Sequence, residues 1–145
     1  MELEVSVDVD APPEHVWAEL VDVERWPEST PTITSVQRLQ DGPLALGSTA
    51  RIKQPRLPVA VWEVTELQPL RSFFWQAKAP GVRTVGGHAI VPRPDGGATL
   101  TLSIRQSGPF AWLAGLLASG LTRRYIQAEA DGLKQRCEAA QGAAG

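Results

Sequence analysis

Pro109-Phe-Ala-Trp-Leu-Ala-Gly-Leu-Leu-Ala-Ser-Gly-Leu-Thr-Arg-Arg-Tyr-Ile-Gln-Ala-Glu-Ala-Asp-Gly-Leu-Lys-Gln-Arg-Cys137 is the stretch on which the fold turns. No proline interrupts it after Pro109. Ser107-Gly108-Pro109 makes a helix entrance, because proline in a first turn sacrifices no hydrogen bond and presets φ. The pattern predicts a helix over 109–138. Its first half, Phe110 to Leu121, is apolar nearly all round. In the second half Ile126, Ala130, Leu133 and Cys137 recur at helical spacing, with Arg123, Gln127 and Lys134 on another flank. Such a helix needs a large apolar surface to lie on, and the strands before it have to supply one. Glu129 is out of keeping: it falls on the apolar stripe between Ile126 and Leu133, close to Tyr125.

The chain before the helix reads as strands broken by turns. Leu3, Val5, Val7 and Val9 alternate with polar residues in a half-buried strand. Asp10-Ala-Pro-Pro-Glu14 then opens a short helix whose apolar face is Val16, Trp17, Leu20 and Val21. A further turn, Val23–Trp26, stops at Pro27. Strands are expected at Ile33–Leu39, Ser48–Gln54, Val59–Leu67, Arg71–Ala79, Val82–Val91 and Ala98–Arg105, each followed by proline or glycine signals. In the last, Ala98, Leu100, Leu102 and Ile104 face one way. Gly86-Gly87 predicts a bulge or sharp bend in the strand that holds it. Short links between successive strands imply antiparallel pairing. The expected fold is therefore α+β: a curved antiparallel seven-stranded sheet wrapped around the long C-terminal helix, with two short helices after the first strand.

At 145 residues the chain makes one domain, expected over 1–140, with a frayed tail at 141–145. The net charge of −2 gives no broad basic footprint, so nucleic acid is not an expected partner. A single cysteine, Cys137, excludes an internal disulfide and any cysteine-based metal cluster. No metal and no cofactor are expected. The apolar run at 110–121 is shorter than the roughly 20 residues that span a bilayer, so stable membrane insertion is not expected. With no leader-like segment, the cytoplasm is the expected location.

The segment Asp8-Val-Asp-Ala-Pro-Pro-Glu-His-Val-Trp-Ala-Glu-Leu-Val-Asp-Val-Glu-Arg-Trp-Pro27 resembles the opening of the polyketide cyclase/dehydrase-like branch of the START/Bet v 1 (SRPBCC) superfamily. Leu46-Gly47, Trp62-Glu-Val-Thr-Glu-Leu-Gln-Pro69, Asp95-Gly96-Gly97 and Gly132-Leu133-Lys134 follow in the family's order. The resemblance runs from Glu2 to about Ala140 and implies a helix-grip fold with an apolar cavity beneath the long helix. Its members include lipid carriers, hormone-binding proteins and ring cyclases, so it implies no single activity. No catalytic residue of the cyclases is carried over onto this chain.

Candidate ligand contacts follow from residue chemistry. Five tryptophans are spread along the chain; Trp17 reads as core, whereas Trp26, Trp62, Trp75 and Trp112 either pack as core or line a cavity. His88 lies within a strand, and His15 is expected to be exposed. Gln54, on the face of Ala50 and Ile52, offers a polar anchor. Glu129 either snorkels to solvent or pairs with Arg136 or Arg51, or faces a wet cavity as anchor or proton-transfer group, because an unpaired buried carboxylate is costly. With Ile52, Leu116 and Tyr125, these residues form the expected ligand set. The leading reading is a binding protein for a hydrophobic or aromatic small molecule, lipid- or polyketide-like. The alternative is a cyclase/dehydratase-type enzyme with Glu129 or His88 moving protons. A third reading, an interaction module that docks a partner or membrane, requires Trp112 and Leu116 to be exposed.

Overall fold

A computed structural model describes residues 2–144. Strand β1 (Glu2–Val9) leads into helix α1 (Pro13–Val21), a 3₁₀ turn (Val23–Arg25) and the short helix α2 (Trp26–Ser29). Six strands come next: β2 (Ser35–Arg38), β3 (Thr49–Lys53), β4 (Ala60–Gln68), β5 (Ser72–Ala79), β6 (Val82–Pro92) and β7 (Ala98–Ser107). Helix α3 (Ala111–Ala144) closes the chain. The sheet order is β1-β7-β6-β5-β4-β3-β2, with antiparallel pairing at each step. Strands β2 to β7 form a meander, and β1 joins at the far edge by pairing with β7. The curved sheet wraps α3, with α1 and α2 closing the other side.

Alternation in the sequence sets which faces turn inward. Leu3 and Val9 of β1 and Ala98, Leu100 and Leu102 of β7 are buried, and Val5, Val7 and Ile104 pack against them. Strand β2 is shorter than expected, because Ile33 reaches the core from a turn in which its N–H bonds Thr30 O.

The glycine pair in β6 does not produce the expected bulge. Pairing of β6 with β5 and β7 is regular through Gly86 and Gly87, and the register shift lies in β4, between Val64 and Glu66. The glycines serve close packing instead. A Cβ at Gly86 would come 3.0 Å from the Trp75 indole nitrogen, and one at Gly87 would come 2.6 Å from the Phe74 ring and overlap Ser103 Oγ. Bulk is excluded on both faces of the strand at once.

Helix α3 begins two residues later than expected. Pro109 and Phe110 form the lead-in turn, in which Phe110 N–H donates to Gly81 O and its ring covers Gly81. Gly108, at φ +110, allows the same approach, since a Cβ there would lie 2.5 Å from Gly81 O. Backbone helix continues through 141–144, where fraying was expected, and Gly145 lies outside the described residues. The second half of α3 is locked in place. Ile126, Ala130, Leu133 and Cys137 are buried, and Gly132 lets the helix touch the end of α2, where any Cβ would overlap Ser29 O. Arg136 pairs with Glu19 of α1 at 2.6 Å and donates to Arg25 O, and Lys134 binds Glu138 at 2.7 Å.

Candidate functional site: an indole-walled cavity under the long helix

Folding gathers four of the five tryptophans. Strand β5 turns Phe73 and Trp75 inward and Phe74 to its other face, and with apolar residues on both faces alternation alone does not set this direction. Trp26, delivered by α2, meets Trp75 and the His88 ring at 5.4 Å each, and Trp62 of β4 lies 5.8 Å from Trp75. His88 stacks on Phe73 at 4.2 Å, and Trp17 meets Phe73 edge-on. The Trp26 indole N–H donates to Leu20 O, which satisfies the one polar atom of a ring that is 4% exposed.

This cluster walls a cavity of about 50 Å³ between the sheet and the middle of α3. Trp26, Ile52, Gln54, Trp62, Trp75, His88 and Glu129 all line it. So do residues not named among the candidate ligand contacts, among them Ile33, Gly86, Leu102, Ile104 and Ile126. The alternation in β7 had already turned Leu102 and Ile104 inward; what it could not supply was their position beneath α3. The cavity expected beneath the long helix is present but small. Pockets for organic ligands run to roughly 300–1,000 Å³, whereas this space admits a few water molecules. The indoles themselves fill the difference.

The polar groups at the cavity are few and unusual. Glu129 does not pair with Arg136 or Arg51, as one reading required. Arg136 is committed to Glu19, and Arg51 reaches Gln37. Among the described residues Glu129 has no cationic partner within salt-bridge distance. It accepts a long hydrogen bond of 3.4 Å from the Gln54 amide, which also reaches Thr32 O. Burial therefore raises the Glu129 carboxyl to about 7, against a smaller lowering by Gln54. His88 moves the other way: burial lowers it to about 4, while its bond to Phe73 O opposes the change. Because a carbonyl only accepts, Nδ1 carries the proton and Nε2 is left as the acceptor.

Three candidates lie elsewhere. Trp112 and Leu116 are 67% and 74% exposed, which corrects the expectation that they face a cavity. Both belong to the outward stripe of α3, beyond the part the sheet covers. Tyr125 donates its hydroxyl to Pro55 O in the β3–β4 loop and borders a shallow surface groove with Thr32, Arg56, Leu121 and Arg124. His15, expected in solvent, is half-buried, and its Nε2 is shut from solvent with no hydrogen-bond partner among the described residues. The Cys137 thiol is raised to about 12, by burial first and by Glu19 second, and is unreactive there.

Comparison with known proteins gives the fold a context. A family model described as polyketide cyclase / dehydrase and lipid transport matches residues 1–138. No curated protein sequence matches the chain. The ZhuI aromatase/cyclase from Streptomyces sp. R1128 superposes with a TM-score of 0.81 at 21% identity, over 100% of this chain and 98% of the other. A protein from Thermus thermophilus gives 0.76 at 19% identity, over 97% and 99%. Ara h 8.0201 gives 0.63 at 11% identity, over 92% and 97%. At these identities the superpositions speak for the fold alone.

Proposed function

The chain belongs to the polyketide cyclase / dehydrase and lipid transport family, and from that premise we propose that it binds a small hydrophobic or aromatic molecule in the cavity beneath α3. The observation that carries this reading is Glu129. A carboxyl without a cationic partner is destabilising inside an apolar wall, and local rules of this kind are broken mainly at functional sites. Glu129 and Gln54 would hold the ligand's hydrogen-bonding group, and the indoles of Trp26, Trp62 and Trp75 its apolar body. Space is made by displacing Trp62, the half-buried ring of the three. Affinity then comes chiefly from apolar burial, with the polar pair fixing orientation.

The test is native mass spectrometry of freshly purified protein for a co-purified small molecule, followed by fluorescence titration with naphthol and flavonoid probes. Saturable one-to-one quenching, weakened in Glu129→Gln, is the expected result. Absence of both a co-purified molecule and saturable quenching would sink the reading.

A second reading, a cyclase/dehydratase-type enzyme, has its own observation: two titratable groups line one cavity, and one of them titrates near neutrality. A carboxyl at about 7 is matched to general acid–base work at physiological pH. Cyclisation of a poly-β-ketone probe that disappears in Glu129→Gln, with the fold intact, would favour it. Ligand binding without turnover would favour the first.

A further inference from the structure

The end of the molecule at which α3 begins carries an exposed apolar tip inside a basic rim. Phe110, Trp112, Leu113 and Leu116 are 55%, 67%, 38% and 74% exposed. The outward stripe of α3 continues from them through Gly120 to Arg123 and Arg124, all in solvent. The β5–β6 turn, on which Phe110 rests, is flanked by Lys78 and Arg83, which face each other across the strand pair. Arg105 near the end of β7 and Arg56 in the β3–β4 loop complete the rim, and all four are exposed.

Acids are scarce in the segments that build this tip. Between Glu66 and Glu129 the sequence holds a single carboxylate, Asp95. It sits in the β6–β7 turn at the opposite end and pairs with Arg93 at 2.6 Å. Asp10, before α1, and Asp41, in the β2–β3 connection, also lie at that opposite end. Glu2, which stands opposite Arg105 in the β1–β7 register, Glu4 and Glu66 share the outer groove of the sheet with Arg83 and Arg105, so the cations outside that acid-lined groove are Lys78, Arg56, Arg123 and Arg124.

We propose that this tip docks on the surface of an anionic phospholipid bilayer, with Trp112, Leu113 and Leu116 entering the headgroup–acyl boundary. Arg123 and Arg124 then meet lipid phosphates. Leu116 and Arg123 are separated by about 10 Å of helix, which matches the roughly 5–10 Å to which interfacial apolar groups sink. Docking is peripheral: no helix among the described residues is long and apolar enough to cross a membrane. A second copy of the chain is a poorer occupant. A twofold contact would set the patch against itself and press the basic rims together. The proposal stands apart from the cavity reading and holds whether or not a ligand binds there.

The experiment is co-sedimentation of the full chain with vesicles of phosphatidylcholine alone and of phosphatidylcholine mixed with phosphatidylglycerol, at low and high salt. Binding to the anionic vesicles that salt reverses is expected. Each arginine removed should lower the partition coefficient about fivefold, so Arg123→Gln with Arg124→Gln should lower it roughly 25-fold. Trp112→Ser with Leu116→Ser should weaken binding by about tenfold or more. Both variants should keep the wild-type melting curve, since their side chains are exposed. Equal binding to neutral and anionic vesicles, no binding at low salt, or undiminished binding by the serine variant would overturn the proposal. So would a vesicle-free dimer that the serine variant dissolves, because the tip would then be a self-association surface.

Discussion

The two halves of α3 are both rich in apolar residues, yet one is sealed and the other stands in water. In the second half Ile126, Ala130, Leu133 and Cys137 vanish under β1, β7 and the two short helices, and Arg136 and Lys134 tie the flanks. In the first half Ala111 and Gly115 are covered, while Trp112, Leu113 and Leu116 point outward. Phe110, just ahead of α3, rests on the β5–β6 turn, and at the junction Tyr125 bonds the β3–β4 loop. Apolar spacing states which face seeks cover. Whether cover exists depends on what the rest of the chain places opposite.

The contrast is broken most forcefully through its ion pair. Arg136→Met strands Glu19 in a site where both side chains are nearly closed to solvent, and we expect a loss of about 3–5 kcal/mol in urea denaturation. Arg124→Met, in the exposed region, should stay within about 0.5 kcal/mol of wild type. Equal effects would mean that the two halves are held alike.

Next in size comes Glu129, at the boundary between the halves. Its native carboxyl keeps its proton up to about 7, whereas the unfolded one releases it near 4.5. Native protein thus binds more protons in that window, and its stability falls as pH rises from 4.5 to 7, by about 3 kcal/mol in order of magnitude. His88 has the opposite sign: its contribution is present above 6.5 and is lost as pH falls through 4. The two oppose each other between 4.5 and 6.5, so wild-type stability should be nearly flat there. In Glu129→Gln the histidine acts alone, and stability should climb through that range. At pH 8 the variant should exceed wild type by about 3 kcal/mol. Parallel pH profiles for the two proteins would show that Glu129 is solvated or paired after all.

Smaller effects come from glycine. Gly132→Ala drives a methyl into Ser29 O and should cost about 2 kcal/mol. Gly120→Ala meets nothing within 4 Å and should stabilise the helix by about 0.5–1 kcal/mol. The same substitution, twelve residues away on the same helix, is expected to change sign. If both raise the thermal midpoint, α2 does not hold α3 as closely as its position indicates.

The strands, their meander from β2 to β7 and the long helix were legible in the chain because each rests on local chemistry, whereas the pairing of β1 with β7 joins segments distant in sequence. Alternation in β1 and β7, proline and glycine between strands, and Pro109 before an unbroken helical run are statements about near neighbours. The cavity was legible in its members more than in its size. Indoles, a strand histidine and a misplaced glutamate can be named from residue types, but how tightly they close depends on ring angles between α2, β4, β5 and β6. Gly86 and Gly87 read as a bend for the same reason: their actual partners, Trp75, Phe74 and Ser103, are brought to them across the sheet.

Trp112 and Glu129 mark the limit. The sequence by itself determined that one is a large apolar ring on a helix and that the other is a carboxylate on an apolar stripe. Tertiary structure alone decided that the ring has no surface to lie on, and that both arginines within the carboxylate's expected reach are engaged elsewhere. Burial and charge pairing are relations between segments distant along the chain, and local pattern carries the demand for them but not the supply.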